Sequence, residues 1–364
     1  MAVKNQQHNP IKAFVSRLGK WPKRGLIALV GIAFVVAAYG LYWSVLADRV
    51  RVGIEQWADD RRAEGYEVAF SGLDVGGFPF RLEATITAPA LSRPDVAPPW
   101  SWRGPRLVMN ARPWRLSRFR ILAPGRHWLT AVVGGRSREL TFDAPELLLK
   151  VKRRGPRSGR VMLSARKLRI RDADGAEVAS VEAAVVIVER LGGPEGGENA
   201  SAELNLLVDA DGIRYGREPW PGLGRTTERL DLEASVTGGL PERLDAEALA
   251  PWRDRGGTVE IRRLDVRHGP LAVEGDGTLA LDGDMQPMGA FTFLVRGFLG
   301  ALDRLREAGV IEDQPARLAK TVLGALARNH GGDGGELKVP LSIQERWLYV
   351  GPVALGRMPV LRLD

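Results

Sequence analysis

The chain has 364 residues, 52 Lys and Arg against 44 Asp and Glu, a net charge of +8 and no cysteine. Without cysteine there are no disulfides, thiolate zinc sites, iron–sulfur clusters or cysteine nucleophile, and 45% hydrophobic with 26% charged residues is the make-up of a folded chain, not a disordered one. At roughly 150 residues per domain the length allows one large domain or two ordinary ones.

Gly25 to Ala47 carry no charge, and about 20 apolar residues cross a hydrocarbon core as a helix. The run is apolar on every side, unlike a surface helix. Leu26, Ile32 and Phe34 lie within it, Tyr39, Tyr42 and Trp43 gather at its C-terminal end, and Trp21 precedes it, as amphipathic rings do at membrane boundaries. Lys4, Lys12, Arg17, Lys20, Lys23 and Arg24 stand ahead of it, with no acidic residue before Asp48. The positive-inside rule then keeps residues 1–24 in the cytoplasm, makes 25–47 a bilayer-spanning anchor and exports 48–364. The expectation is a single-pass protein of the bacterial inner membrane with a periplasmic domain. A cleaved signal ending at Val45-Leu46-Ala47 is the alternative. The long leader and a run exceeding the about 7–15 residues of a signal argue against it.

Six of the positive charges sit in that leader, so the exported part carries no global nucleic-acid footprint and nucleic acid is not an expected partner. One stretch remains strongly basic: Arg103 to Arg171 hold 19 Lys and Arg against Glu139, Asp143 and Glu146. These are either solvated arginines on outer strand faces or a surface turned to anionic lipid headgroups, for which Arg112, Arg115, Arg118 and Arg120 are the candidates. Trp100, Trp102, Trp114 and Trp128 in the same stretch read as sheet packing, or as rings stacking on bases or anchoring at a membrane interface.

Asp48 to Glu64 predict a helix, with Val50, Ile54, Trp57 and Ala58 on one stripe and Gly65 closing it; it either continues the membrane helix or turns onto the domain. Then period-two alternation takes over. It runs through Tyr66–Phe70, Leu73–Val75, Leu82–Ile86, Leu107–Met109, Leu140–Phe142, Leu147–Leu149, Val161–Leu163, Leu168–Ile170 and Val181–Ile187. Leu230–Val236 and Val259–Val266 follow, the latter with a bulge at Arg262-Arg263. Leu271, Val273, Leu279 and Leu281 share one face, followed by Phe291, Phe293 and Val295. The Gly76–Phe80 corner contains Pro79, which places it at an edge or bulge. Asp174-Gly175, Asp211-Gly212, Gly238-Gly239 and Asp282-Gly283 mark turns. Helical pieces are expected at Pro241–Ala250, Phe298–Ala308 and Asp313–Ala327; the last two form a hairpin within 298–329, joined at Gly309, that must cover an apolar sheet surface. Leu337–Ile343 and Trp347–Val350 make a final hairpin. The fold expected is mainly β with minor α: a transmembrane helix, then a large curved antiparallel sheet of half-barrel type with a C-terminal helical hairpin. Leu191–Gly197 is the best internal break, separating possible halves 66–190 and 200–364 of one continuous sheet.

Chemistry is hardly signalled. His8, His127, His268 and His330 lack metal-ligand spacing. No GxSxG elbow, P-loop or dinucleotide fingerprint is present. Asp282-Gly-Asp284 and Asp333 read as turns, not a calcium loop, and Asp59-Asp60 as a solvated helix face. No catalytic residue, metal or cofactor is expected. An exported hydrolase with an unsignalled carboxylate site is the reading that a cleft with two converging carboxylates of raised pKa would revive.

Several motifs together resemble a bacterial family known as domain of unknown function 2125. They are the anchor followed by the Trp57 helix, the corner Val75-Gly-Gly-Phe-Pro-Phe-Arg-Leu82, and Pro251-Trp252 before a strand pair. The segments Gly269–Leu281 and Val350-Gly-Pro-Val-Ala-Leu355 complete them. The resemblance spans nearly the whole chain and implies no enzymatic activity. The Gly275-x-Gly277 strand with Gly289–Gly297 also looks like the strand repeats of AsmA-like envelope proteins, which implies a long curved sheet with a greasy inner face and a part in phospholipid movement. The expected function is a non-enzymatic envelope protein offering an apolar groove to lipid or acyl chains, lined by Leu271, Val273, Leu279, Leu281, Phe291, Phe293 and Val295; the alternative is a scaffold using the same sheet for another envelope protein.

Overall fold

The computed structural model describes residues 23–361 except 97, 134–135, 156–157, 192–203, 239–244, 315–316, 318–319, 322 and 325–335. Most of the basic leader, the Leu191–Gly197 break apart from Leu191 itself, and the Asp333 turn therefore lie outside the described residues.

The apolar run and the Asp48–Glu64 stripe form one helix, α1 (Lys23–Ala63), about 60 Å long at 1.5 Å per residue. No proline stands near their junction to interrupt it. Gly65 ends it at φ +88°, its N–H bonding Arg62 O at 3.1 Å. Of the expected stripe, Ala58 is buried but Trp57 is exposed.

Among the described residues, twenty strands make one antiparallel sheet. The first half is split into two leaves. β2 (Gly72–Gly76), β3 (Leu82–Thr87), β6 (Arg106–Arg112), β7 (Arg115–Leu122) and β10 (Glu146–Arg153) pair in that order. This is the proximal leaf. β1 (Glu67–Ala69), β4 (Ala90–Arg93), β5 (Trp100–Arg103), β8 (Arg126–Val133) and β9 (Arg136–Asp143) make the distal leaf. Both end on the long β11 (Gly159–Asp172), β10 along its first part and β9 along its last. After a first crossing at Phe70-Ser71, the chain crosses between leaves at four X-Pro steps, Ala88-Pro89, Gly104-Pro105, Ala123-Pro124 and Ala144-Pro145. Proline has no N–H for a ladder, so each of these four crossings breaks the strand. The remaining bonds tie the crossings together: Ala88 N–H donates to Pro105 O at 2.8 Å and Gly104 N–H to Pro89 O at 2.9 Å. His127 fills this crease, fully buried between the Trp102 and Phe142 rings, with Nε2 bonding Ala123 O at 3.0 Å. A side chain at Gly104 would strike the imidazole, 2.3 Å from Nδ1, which is why glycine stands there.

From β11 onward each strand pairs with the next. The meander runs through β12 (Glu177–Arg190), β13 (Leu204–Tyr215), β14 (Thr226–Val236), β15 (Val259–His268), β16 (Leu271–Leu281), β17 (Pro287–Arg296), β18 (Glu336–Gln344), β19 (Trp347–Val350) and β20 (Val353–Arg357). Ala179–Arg190 of β12 pair with Leu204–Tyr215 of β13 across the glycine-rich break, so Asp211-Gly212, expected as a turn, lies inside β13. The Arg262-Arg263 bulge is present, between Ile261 and Leu264. The Pro241–Ala250 helix needs correction: α2 spans Ala246–Asp254 and carries Pro251-Trp252 inside it. Asp245 caps it, accepting from Ala248 N–H, and the buried Trp252 indole donates to Thr237 O at 2.6 Å, drawing the helix onto the sheet end. α3 (Phe298–Glu307) turns at Gly309, and the described residues between 313 and 324 are helical, so a hairpin forms. Lys320 pairs with Asp303 across it.

The buried apolar residues fall in small groups. Leu46 and Ala47 of α1 pack on Leu82, and Phe298 of α3 packs on Leu337.

Candidate functional site: an uncovered apolar face and a cationic groove

Cross-strand register aligns apolar residues over almost the whole sheet. One row runs Val75, Ala84, Met109, Ile121, Leu149, Leu163 across β2 to β11. It continues Val186, Val208, Leu232, Leu264, Gly275, Phe293, Val339 to β18. The adjacent row begins at Leu82 and ends at Leu341 and Val350, with Ala, Val, Leu, Ile, Phe or Gly at every strand between. From Met109 to Val339 no residue of the first row is buried, and Leu163 is 41% exposed. A sandwich would cover such a face with a second sheet; among the described residues α1 packs on it at one end, and at the other α3 does so together with Leu323 of the second helical segment.

The residues expected to line an apolar groove share this face. Leu271 and Val295 lie under α3, against Phe298 and Leu337. Val273, Leu279, Leu281, Phe291 and Phe293 are half-buried. Phe291 and Phe293 stack at 6.0 Å and lie over Gly277 and Gly275, where any side chain would meet their rings at 2.3 Å. The glycines are thus sites of close aromatic cover.

The expected basic residues converge on the opposite face. Arg112, Arg115, Arg118 and Arg120 line a groove of about 810 Å³ together with Arg81, Lys150, Lys152 and Arg160. Phe80 and Trp114, 70% and 59% exposed, also line it. The register sets like charges against each other: Arg120 opposite Lys150, Arg118 opposite Lys152, Lys152 opposite Arg160. Arg160 and Arg154 both bind Glu189, and the Arg160 hydrogen bond is the main cause holding that carboxyl below the usual carboxylate range. None of the other seven cations has a carboxylate partner among the described residues. The four tryptophans divide: Trp100, Trp102 and Trp128 pack in the distal leaf, while Trp114 stands at the groove.

α1 is bolted to the frame of this groove. Trp43 Nε1 donates to Arg81 O at 3.0 Å, Tyr42 OH to Pro113 O at 3.2 Å, and Tyr39 OH to Pro79 O. Leu46 and Ala47, expected in the bilayer, are instead buried against the sheet. Below them Ile27 to Leu41 form an apolar helix surface open to the surroundings, with Ile32 64% and Phe34 74% exposed. Leu26 belongs to the same helix. One helix of the described chain is long and apolar enough to cross a membrane.

Residues 43–359 match the family described as "Uncharacterized protein conserved in bacteria (DUF2125)". The chain belongs to this family. The match starts at Trp43, where α1 meets the domain, and takes in all the strands. No curated protein and no solved structure matches, so the likeness to AsmA-like envelope proteins has no support. Sequence reading of the groove misses Arg81, Lys150, Lys152 and Arg160. The alternation of Lys150 and Lys152 within Leu147–Arg153 is the signal that could have found two of them, once β10 is paired with β7.

Proposed function

We propose that this chain is a non-enzymatic protein of the bacterial inner membrane, tethered by α1, that holds lipid acyl chains along the apolar face of a periplasmic sheet and so serves envelope maintenance. The observation that carries the reading is the apolar row from Met109 to Phe293, between the ends that α1 and α3 cover, with no layer over it among the described residues. Contiguous apolar patches beyond a few hundred Å² are rare on free monomers and mark an occupant. The occupant is inferred from continuity: the face starts at Leu82, in contact with Leu46 and Ala47, where α1 leaves its exposed apolar segment. An acyl chain entering there would stay in an apolar medium. Retention of α1 is supported by the same packing, since cleavage after Ala47 would discard the Tyr39, Tyr42 and Trp43 contacts.

A photoreactive phenylalanine analogue at Leu232, with Glu233 on the other face as control, tests this in cells. The expected product is a phospholipid adduct at Leu232 and none at Glu233. Adducts at Leu232 to protein alone would replace the lipid reading with a scaffold. Orientation is checked with a single cysteine at Asp303, clean because the chain has none of its own. A membrane-impermeant maleimide should label it from the periplasmic side, and labelling only after lysis of the inner membrane would overturn the topology.

A further inference from the structure

We propose that the cationic groove of the proximal leaf is a docking site for the phosphate groups of anionic phospholipids in the membrane that α1 enters. The inference rests on α1 as an anchor and is independent of whether the opposite face holds acyl chains. Three observations carry it. First, the groove is electrostatically unfinished: Arg118, Arg120, Lys150 and Lys152 stand directly across from one another with no carboxylate between, and like charges opposite one another destabilise a sheet. An anion from outside would relieve that repulsion. Second, the donors suit phosphate, because guanidinium groups bind its oxygens two at a time and the lysines add point charges.

Third, the position selects the source of the phosphate. The corner carrying Phe80 and Arg81 and the turn carrying Pro113 and Trp114 are hydrogen-bonded to Trp43 and Tyr42 at the end of the exposed apolar helix. Exposed aromatic rings at that level seat in the interfacial zone of a bilayer, and basic residues beside a span are drawn to anionic headgroups. A soluble polyanion would need neither Phe80 nor Trp114. With both rings seated at the interface, the groove between them faces headgroup phosphates, and the sheet is held at a fixed angle to the membrane.

The full chain would be reconstituted in nanodiscs of equal parts phosphatidylcholine and phosphatidylglycerol, and the lipids retained on release read by native mass spectrometry. The wild type is expected to keep phosphatidylglycerol preferentially. The combined variant Arg118→Gln, Arg120→Gln, Lys150→Gln, Lys152→Gln should lose that preference by roughly tenfold or more, while the charge-preserving Arg118→Lys, Arg120→Lys should keep it. Because the Gln variant sheds repulsion it should melt no lower than the wild type, which excludes misfolding as the cause. A variant of the other face, Val208→Asp with Leu232→Asp, should reduce the total lipid retained and leave the headgroup preference, so the two readings fail separately. The proposal is overturned if the wild type shows no headgroup preference, if the four glutamines leave it intact, or if inorganic phosphate abolishes it at constant ionic strength.

Discussion

The polar faces of the two halves of the sheet handle charge in opposite ways. Across β13 to β16, Asp209, Asp231, Asp265 and Glu274 stand in one row, each directly opposite the next. Four like charges in line would repel, but arginines fill the spaces beside them. Arg229 reaches Asp231 at 3.2 Å and Asp265 at 3.9 Å, Arg263 reaches both at 3.8 Å, and Arg296 bonds Glu274 at 2.8 Å. The hydrogen bonds that Arg229 donates to Asp231 and Arg296 to Glu336 are the main causes pushing the two guanidinium pKa values upward. Across β7, β10 and β11 the row is cationic; Glu189 meets it at Arg160, and among the described residues no carboxylate stands beside Arg118, Arg120, Lys150 or Lys152. The same sheet therefore contains a charge pattern completed within the chain and one left open, and only the open one lies at the foot of α1.

Arg229→Ala is the substitution that strikes hardest at the completed half. Asp265 is 2% exposed, and a buried carboxylate stripped of a partner destabilises a fold far more than an exposed one. Arg263 and Arg267 stay near it, so the expected fall in melting temperature is about 3–6 °C. Arg118→Ala, its counterpart in the open half, should cause no fall. Thermal melts of the two variants, side by side, decide whether the halves differ as described.

Glu189 is where the patterns meet, the one acid among the described residues that answers the cationic row. Its folded-state pKa lies below the ordinary value because Arg160 and Arg154 hold the charged form. Its contribution is therefore fully present above the ordinary carboxylate pKa and is lost as the pH falls through the depressed value. Glu189→Gln should melt roughly 2–4 °C lower than wild type at neutral pH, and the gap should close in acid. A gap that stays constant with pH would mean that the side chain matters for its shape and not its charge.

How much of this the sequence discloses depends on whether a feature is local. The helix closed by Gly65, the alternation of Leu230–Val236 and the Arg262-Arg263 bulge are written in consecutive residues, and each stands where the pattern places it. β7 and β8 escape a pattern search. Arg118 and Arg120 take outward positions of β7 and its register against β6 slips between Ala111 and Arg112, and β8 follows a proline crossing. β20 pairs only with β19 and is equally hidden. That Arg118 faces Lys152, 34 positions along the chain, is a property of pairing between distant segments, which composition can hint at and only register determines. Leu46 and Ala47 illustrate the converse: their apolar character is legible, but burial against a sheet and burial in a bilayer require the same residue types.

The finest test of the comparison is a graft of the completed pattern onto the open one. Arg118→Glu places an acid opposite Lys152, as Asp and Arg alternate around β14. An exposed cross-strand pair of opposite charge gains little, so the melting temperature should rise by only about 1–2 °C. Arg263→Glu, the inverse graft beside Asp231 and Asp265, should lower it. Small as it is, the sign discriminates. If the arginines of β7 were there to hold the leaf together, Arg118→Glu would lower both the melting temperature and the retention of anionic lipid. If they are held in mutual repulsion for an external anion, stability and lipid retention must move in opposite directions, because the substitution that relieves the repulsion also removes the ligand's partner.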